Sequence, residues 1–263
     1  MELNLEGKRA FVGGGSQGIG KAIAIALANQ GASVTIAARN KNGLMNVLTE
    51  LETSKGQDHD CLEVDYADPD RLNGLVSQLM TSNERHYNIL INNTGGPAAG
   101  PIYKANTEEF LAAITRHVVC NQVLTKLMIP GMRADKYGRI INIISTSVKE
   151  PIENLGVSNT TRGAVASWAK TMSKELGQYG ITVNNVLPGF TQTPRLDALI
   201  EGRASKAGKI FEEVAQGMKD RVPLHRFAEA AEVANAVGFL ASPSASYISG
   251  INLPVDGGRL GCL

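Results

Sequence analysis

"RAFVGGGSQGIGKAIA" (residues 9–24) starts as an apolar run, turns on glycines and continues with apolar residues at helical spacing. The first part reads as a buried strand. The last reads as a helix that closes near Gly31. Gly14, Gly18 and Gly20 lie between them. Glycines there let the backbone turn tightly and approach a ligand closely. The free N–H groups and positive dipole end of the helix then face a phosphate. A strand, a glycine loop and a helix in that order open a doubly wound α/β fold, so the remaining chain should alternate strand and helix.

It does alternate. "SVTIAAR" (33–39), "DCLEVD" (60–65), "NILINN" (88–93), "GRIINIIS" (138–145), "GITVNNVLPG" (180–189) and "INLPVDGG" (251–258) read as six further strands. Helical patterns occupy about 108–132 and 163–177. Apolar strands between helices imply a parallel sheet buried on both faces. The expectation is α/β: a single-domain doubly wound Rossmann fold over residues 1–263, with a seven-stranded parallel sheet and helices on both faces. No repeat, low-complexity tract or linker divides the chain. The polar segment 195–223 interrupts the rhythm beyond the C-terminal end of a strand, where such sheets place ligands. It reads either as a mobile substrate lid or as a static surface helix.

Composition narrows the function classes. A net charge of +1 gives no broad attraction to nucleic acid or to an acidic membrane. Cys61, Cys120 and Cys262 have no metal-like spacing and read as reduced thiols, with no metal site expected. No apolar run approaches the ~20 residues of a membrane span, and the N-terminus lacks the apolar core of a signal peptide. These readings point to a cytoplasmic protein.

Several further stretches carry a family resemblance. The spacing Gly14-xxx-Gly18-x-Gly20, Asp65 after the third strand, "NNTG" (92–95), Ser145 at the end of the fifth strand, "PGFTQT" (188–193) and "VDGG" (255–258) occur in the order found in the short-chain dehydrogenase/reductase family. The chain most resembles the β-ketoacyl-ACP reductases. The resemblance implies a dinucleotide site built from Gly14, Ser16, Gln17, Gly18, Ile19, Gly20, Asp65, Asn92, Thr94, Gly95, Pro188, Gly189 and Thr193. It also implies a homotetramer or homodimer, formed through about 107–132, 157–178 and 248–258. The substrate would be a small molecule or an acyl thioester.

Cofactor choice turns on the end of the second strand. An NAD site needs a carboxylate there for the ribose 2′-hydroxyl. This chain has Ala38 followed by Arg39, whose guanidinium suits a 2′-phosphate, so NADP(H) is favoured over NAD(H).

The family's catalytic set is altered. Its tyrosine lies thirteen residues after the serine and its lysine four residues further on; here those positions hold Ser158 and Arg162. The family's helical asparagine falls on His117. Ser145 alone is retained. The set resembles a divergent subgroup of β-ketoacyl-ACP-reductase-like members. A serine is shorter than tyrosine and a weaker acid than a phenol, and arginine hardly joins a proton relay. Arg162 keeps a charge that could still hold the nicotinamide ribose. His117, Tyr103, or water held by Ser145 and Ser158 are the candidate proton sources. The remaining tyrosines, Tyr66, Tyr87, Tyr137, Tyr179 and Tyr247, are expected outside the pocket. Two functions follow. One is an NADP(H)-dependent carbonyl/alcohol oxidoreductase with a non-standard proton donor. The other is an impaired pseudoenzyme that binds NADP(H) as a sensor or scaffold.

Overall fold

The computed structural model describes residues 1–82 and 85–262. Seven strands form one parallel sheet: β1 (Arg9–Gly13), β2 (Ser33–Ala38), β3 (Asp60–Glu63), β4 (Ile89–Asn92), β5 (Gly138–Ile143), β6 (Ile181–Pro188) and β7 (Asn252–Val255). Their order is β3-β2-β1-β4-β5-β6-β7. The chain winds outward from β1 to β3, then returns to start again at β4 on the other side. The reversal leaves a crevice at the C-terminal ends of β1 and β4, the place where open α/β sheets bind ligands.

Two cores cover the sheet, because successive strand residues point to opposite faces. Ile91 and Ile141 join one core; their neighbours Leu90 and Ile140 join the other. The first core packs α1 (Gly18–Asn29), α2 (Lys41–Leu48) and α9 (Ala230–Ala241) through Leu27, Leu44 and Val237. The second packs α3 (Pro69–Ser82), α5 (Cys120–Ala134) and α6 (Gly156–Leu176) through Val76, Leu124 and Ala169. A fully buried leucine such as Leu27 contributes about 1.5–3 kcal/mol of transfer free energy.

The expected seven parallel strands are all present, each ending one to three residues before its sequence-based limit. The shortening matters at β5, which ends at Ile143, so Ser145 lies two residues beyond the strand. There it caps a 3₁₀ turn (Thr146–Val148), its Oγ accepting from the Ser147 N–H at 3.1 Å. The long helix expected over 108–132 is α4 (Thr107–Ile114) and α5 joined by a π-helical turn at Thr115–Val119. Such turns arise where an extra residue is accommodated in a helix, and they gather at functional sites. The helix expected from Gly163 begins seven residues earlier, at Gly156, so Ser158 and Arg162 are both helical.

Across β4, β5, β6 and β7, Asn92, Asn142, Asn185 and Asn252 stand in register. The side-chain amides of Asn92, Asn142 and Asn185 each donate to the next asparagine's Oδ1 at 2.8 Å. This ladder continues the sheet's hydrogen bonding through side chains at its ligand-binding end. Segment 195–223 forms α7 (Pro194–Ala207) and α8 (Phe211–Lys219). They pack on each other around Leu196, Ile200, Ala215, Met218 and Phe227, a small core separate from the two on the sheet.

Candidate active site

A cleft of about 590 Å³ opens over the β1/β4 crevice. The glycine loop forms its floor. Gly14 and Gly18 have φ of +60° and +55°, a left-handed backbone that side chains resist. A Cβ on Gly20 would lie 2.1 Å from the Gly14 carbonyl oxygen, so that position admits only glycine. Gln17 precedes α1 without a side-chain cap, and the first turn of α1 holds no acidic residue. The helix's first N–H groups are therefore available to an anion.

Gly14, Ser16, Gln17, Gly18, Ile19, Gly20, Arg39, Asp65, Thr94, Gly95 and Thr193 all line this cleft. Asp65 is its one carboxylate, and Arg39 is exposed at the end of β2. These residues fit a phosphorylated dinucleotide: free helix N–H groups for a pyrophosphate, and a guanidinium without a competing carboxylate for a 2′-phosphate.

Asn92, Pro188 and Gly189 are not among the lining residues. Asn92 points into the asparagine ladder, while the backbone N–H of Gly189 donates to the Val255 carbonyl at 2.9 Å. The neighbouring asparagine, Asn93, does line the cleft. Its amide donates to the Gly13 carbonyl at 3.0 Å and braces the glycine loop. Alternation along the expected strand 88–93 was the signal that could have found it: Asn92 ends β4, and Asn93, the next residue, turns to the opposite side.

Tyr66 corrects a second expectation. It was placed outside the pocket, yet it lines the cleft from the loop after β3. Its buried hydroxyl has no hydrogen-bond partner and lies under Gly13, 2.6 Å from where a Cβ would stand. Burial, with a smaller contribution from Cys120, raises its pKa well above the usual phenol value, so it is a poor acid there. Tyr103 lies on the 3₁₀ turn Ile102–Lys104 and is 80% exposed, outside the cleft lining.

Beside the cleft, α6 packs against both the π turn and the 3₁₀ turn after β5. This brings together the elements that carry His117, Ser145, Ser158 and Arg162. Ser158 and Arg162, one turn apart on α6, are both buried. Arg162 donates through Nη1 to the Ile143 carbonyl at 2.8 Å, and its Nε has no partner. Burial, then the nearby Arg195, pushes its pKa down to about 10. Arg162 does not line the cleft itself.

His117 was considered because histidine ordinarily titrates near neutrality. Here it is buried, and its Nε2 has no partner. Burial first, then the charges of Arg162 and Arg195, push its pKa down to about 2; a hydrogen bond with the Gly95 backbone opposes them. His117 is therefore neutral near pH 7, and no imidazolium stands ready to give a proton. No tyrosine occurs between residues 138 and 178.

The family model described as enoyl-(acyl carrier protein) reductase matches residues 14–259. The chain belongs to the short-chain dehydrogenase/reductase family. Its relatives in that family include the NADPH-dependent reductase BacG of Bacillus subtilis, 32% identical over 96% of this chain and 98% of that one. The 3-oxoacyl-[acyl-carrier-protein] reductase FabG of Vibrio cholerae is 33% identical over 97% and 98%. Among solved short-chain dehydrogenase/reductase structures, L-sorbose reductase of Gluconobacter frateurii, complexed with NADPH and L-sorbose, matches with a TM-score of 0.93. It is 31% identical over the whole of both chains.

The fold thus agrees with the family. Among the lining residues, sequence reasoning did not single out Ala38, Asn40, Val64, Tyr66, Asn93, Gly96, Arg116, Pro194 and Arg195 as site residues. Arg116 precedes His117, and Arg195 begins the polar segment 195–223; neither bears a motif, so only the folded chain shows that they share a cleft.

Proposed function

We propose that this protein is an NADP(H)-dependent oxidoreductase that exchanges hydride with a carbonyl or alcohol carbon. In this reading it resembles 3-oxoacyl-ACP reductases but works without their tyrosine acid. One observation carries the reading: a complete dinucleotide cradle stands beside a cluster of Ser145, Ser158, Arg162 and His117 that contains no phenol. The names of the NADPH-dependent relatives support the cofactor, as does Arg39 beside Ala38.

The dinucleotide, when bound, supplies or accepts the hydride. The remaining work falls to the protein's own side chains. Gly14 to Gly20 and the N-terminus of α1 would hold the pyrophosphate, Arg39 the 2′-phosphate, Asp65 the adenine, and Thr193 the carboxamide. Ser145 accepts from the Ser147 N–H, so its hydroxyl hydrogen is free to donate to a substrate oxygen. Arg162 lends positive charge to an oxygen that gains negative charge as hydride arrives. The proton comes from water held by Ser145 and Ser158. His117 serves as a neutral hydrogen-bonding partner through its unpartnered Nε2.

Steady-state loss of NADPH absorbance tests the reading against a panel of ketones, oxo acids, β-ketoacyl thioesters and quinones. NADPH should be consumed with at least one member, and NADH less readily. Tight NADPH binding with no turnover anywhere in the panel would instead support an NADP(H)-binding sensor or scaffold, the reading that the missing phenol favours.

We also propose self-association through α4 to α6 and β7. Leu111 and Val119 are exposed on the first of these surfaces, and β7 is an open sheet edge. A monomer in size-exclusion chromatography with light scattering would contradict this. The lid role of 195–223 and the single-domain assignment of 1–263 belong to the same proposal.

A further inference from the structure

Arg162 and Arg195 converge from distant parts of the chain on one residue, Gly96. A Cβ on Gly96 would lie 2.8 Å from the Arg195 Nη2 and 3.3 Å from the Arg162 Nη2. Both guanidiniums thus lie against the Gly96 backbone, where no side chain intervenes. Each is anchored by one bond to a backbone carbonyl. Arg162 reaches Ile143 through Nη1 at 2.8 Å, and Arg195 reaches Gly96 through Nη1 at 3.2 Å.

Neither arginine forms an ion pair with a carboxylate among the described residues, and neither does Arg116, which lines the same cleft. Arg162 is also buried, with an unpartnered Nε. Two like charges brought together, one of them away from water, are costly unless an anion completes the arrangement. His117 faces the same cluster with its own unpartnered Nε2. Neither guanidinium is balanced by a carboxylate in ion-pair contact among the described residues.

The pair stands beside the altered catalytic cluster: Gly96 follows β4, and Ile143 ends β5 two residues before Ser145. Arg195 also lines the cleft that the glycine loop floors, so the test must read the dinucleotide as well. We infer that Arg162 and Arg195 form a receptor for a carboxylate of the substrate, with Arg116 as a third cation at the cleft. A planar carboxylate matches the guanidinium fork, which can bind it through paired N–H groups. The substrate class is then an oxo acid or hydroxy acid with a free carboxylate, rather than a neutral ketone or a thioester alone. This deepens the reductase reading and rests on it.

Isothermal titration calorimetry of the full-length protein tests the inference. The probes are 4-oxopentanoate, its neutral amide and inorganic phosphate, each with and without saturating NADP+. The carboxylate should bind at least about tenfold more tightly than the amide, the scale expected for a charge-assisted pair. Arg195→Gln should weaken the carboxylate about tenfold or more, and by a larger factor than it weakens NADPH in a parallel titration. Gly96→Ala, which puts a methyl group 2.8 Å from one guanidinium and 3.3 Å from the other, should likewise weaken the carboxylate more than NADPH.

Equal affinity for acid and amide, or no heat from the carboxylate at millimolar concentration, would overturn the inference. So would phosphate binding more tightly than the carboxylate. Loss of NADPH affinity in Arg195→Gln, with carboxylate binding intact, would reassign the cluster to the dinucleotide. Failure of the reductase reading would look different: the carboxylate would bind, while NADPH would not bind or would never be oxidised.

Discussion

Restoring a tyrosine and a lysine at 158 and 162 probes the altered site most sharply. Both positions face the same buried side of α6, one turn apart, beside the turns that hold His117 and Ser145. A tyrosine at 158 would bring a phenol toward the substrate oxygen, and a lysine at 162 would lower its pKa by proximity. A positioned general acid is worth ~10²–10⁴-fold, or about 3–5 kcal/mol of barrier. The structure also sets a cost. Ser158 is only 9% exposed, so a phenol there overpacks the interior by about 1–3 kcal/mol unless it swings into the cleft. Arg162→Lys removes the planar fork and puts the 2.8 Å bond to the Ile143 carbonyl at risk, a loss of about 1–3 kcal/mol. The double variant should therefore be less stable by about 2–6 kcal/mol. If folded, it should reduce a simple ketone such as 2-octanone ~10²–10⁴-fold faster than the parent in NADPH-absorbance assays. Circular dichroism and NADPH titration establish that it folds and binds. A folded, NADPH-binding double variant with no gain on any ketone would refute the assignment of 158 and 162 as the altered acid and lysine positions.

Arg39→Ala should raise the Kd for NADPH about 5- to 30-fold, as expected for an exposed charged contact of about 1–2 kcal/mol, and leave NADH within about twofold; fluorescence titration of both dinucleotides checks it. Asn142→Ala breaks two rungs of the asparagine ladder and leaves the Asn92 amide and the Asn185 carbonyl buried without partners. It should cost about 2–6 kcal/mol in urea unfolding. His117 gives a pH signature. Its folded pKa lies far below its ordinary value of 6.5, so below that pH the unfolded chain takes up a proton that the folded chain refuses. Its stability contribution is present above pH 6.5 and is lost at about 1.4 kcal/mol per pH unit as pH falls toward 2. Relative to His117→Asn, the parent should thus lose about 2–3 kcal/mol between pH 6.5 and 4.5, read from denaturation midpoints.

The sheet was legible because its signals are local. A β-branched apolar run or a glycine triplet declares itself within a few residues, and all seven strands were marked in this way. The helices α2, α3 and α9 were not singled out. Boundaries shifted where tertiary packing extends a helix past its apolar pattern, as at Gly156. Within the site, the glycine loop, Arg39, Asp65 and Thr193 were readable from position in the α/β pattern and from the family resemblance. Asn92 and Asn93 are adjacent and chemically identical, so only strand alternation separates the ladder residue from the cleft residue.

His117 was misjudged for a different reason. The arginines that help keep it neutral, Arg162 and Arg195, are far from it in sequence, and neither the distance nor the burial can be read from the chain. The Gly96 meeting point was invisible on the same grounds. An unremarkable glycine becomes informative only once two guanidiniums are known to lie against it.

A crystal structure with NADP+ bound measures the central claim most directly, by showing which groups surround the nicotinamide C4. The account predicts the ring beside Ser145, Ser158 and Arg162, with water or a substrate oxygen within hydrogen-bond reach of the serine hydroxyls and no tyrosine hydroxyl among them. A tyrosine oxygen poised at that oxygen, whether from Tyr66, Tyr103 or elsewhere in the chain, would contradict it.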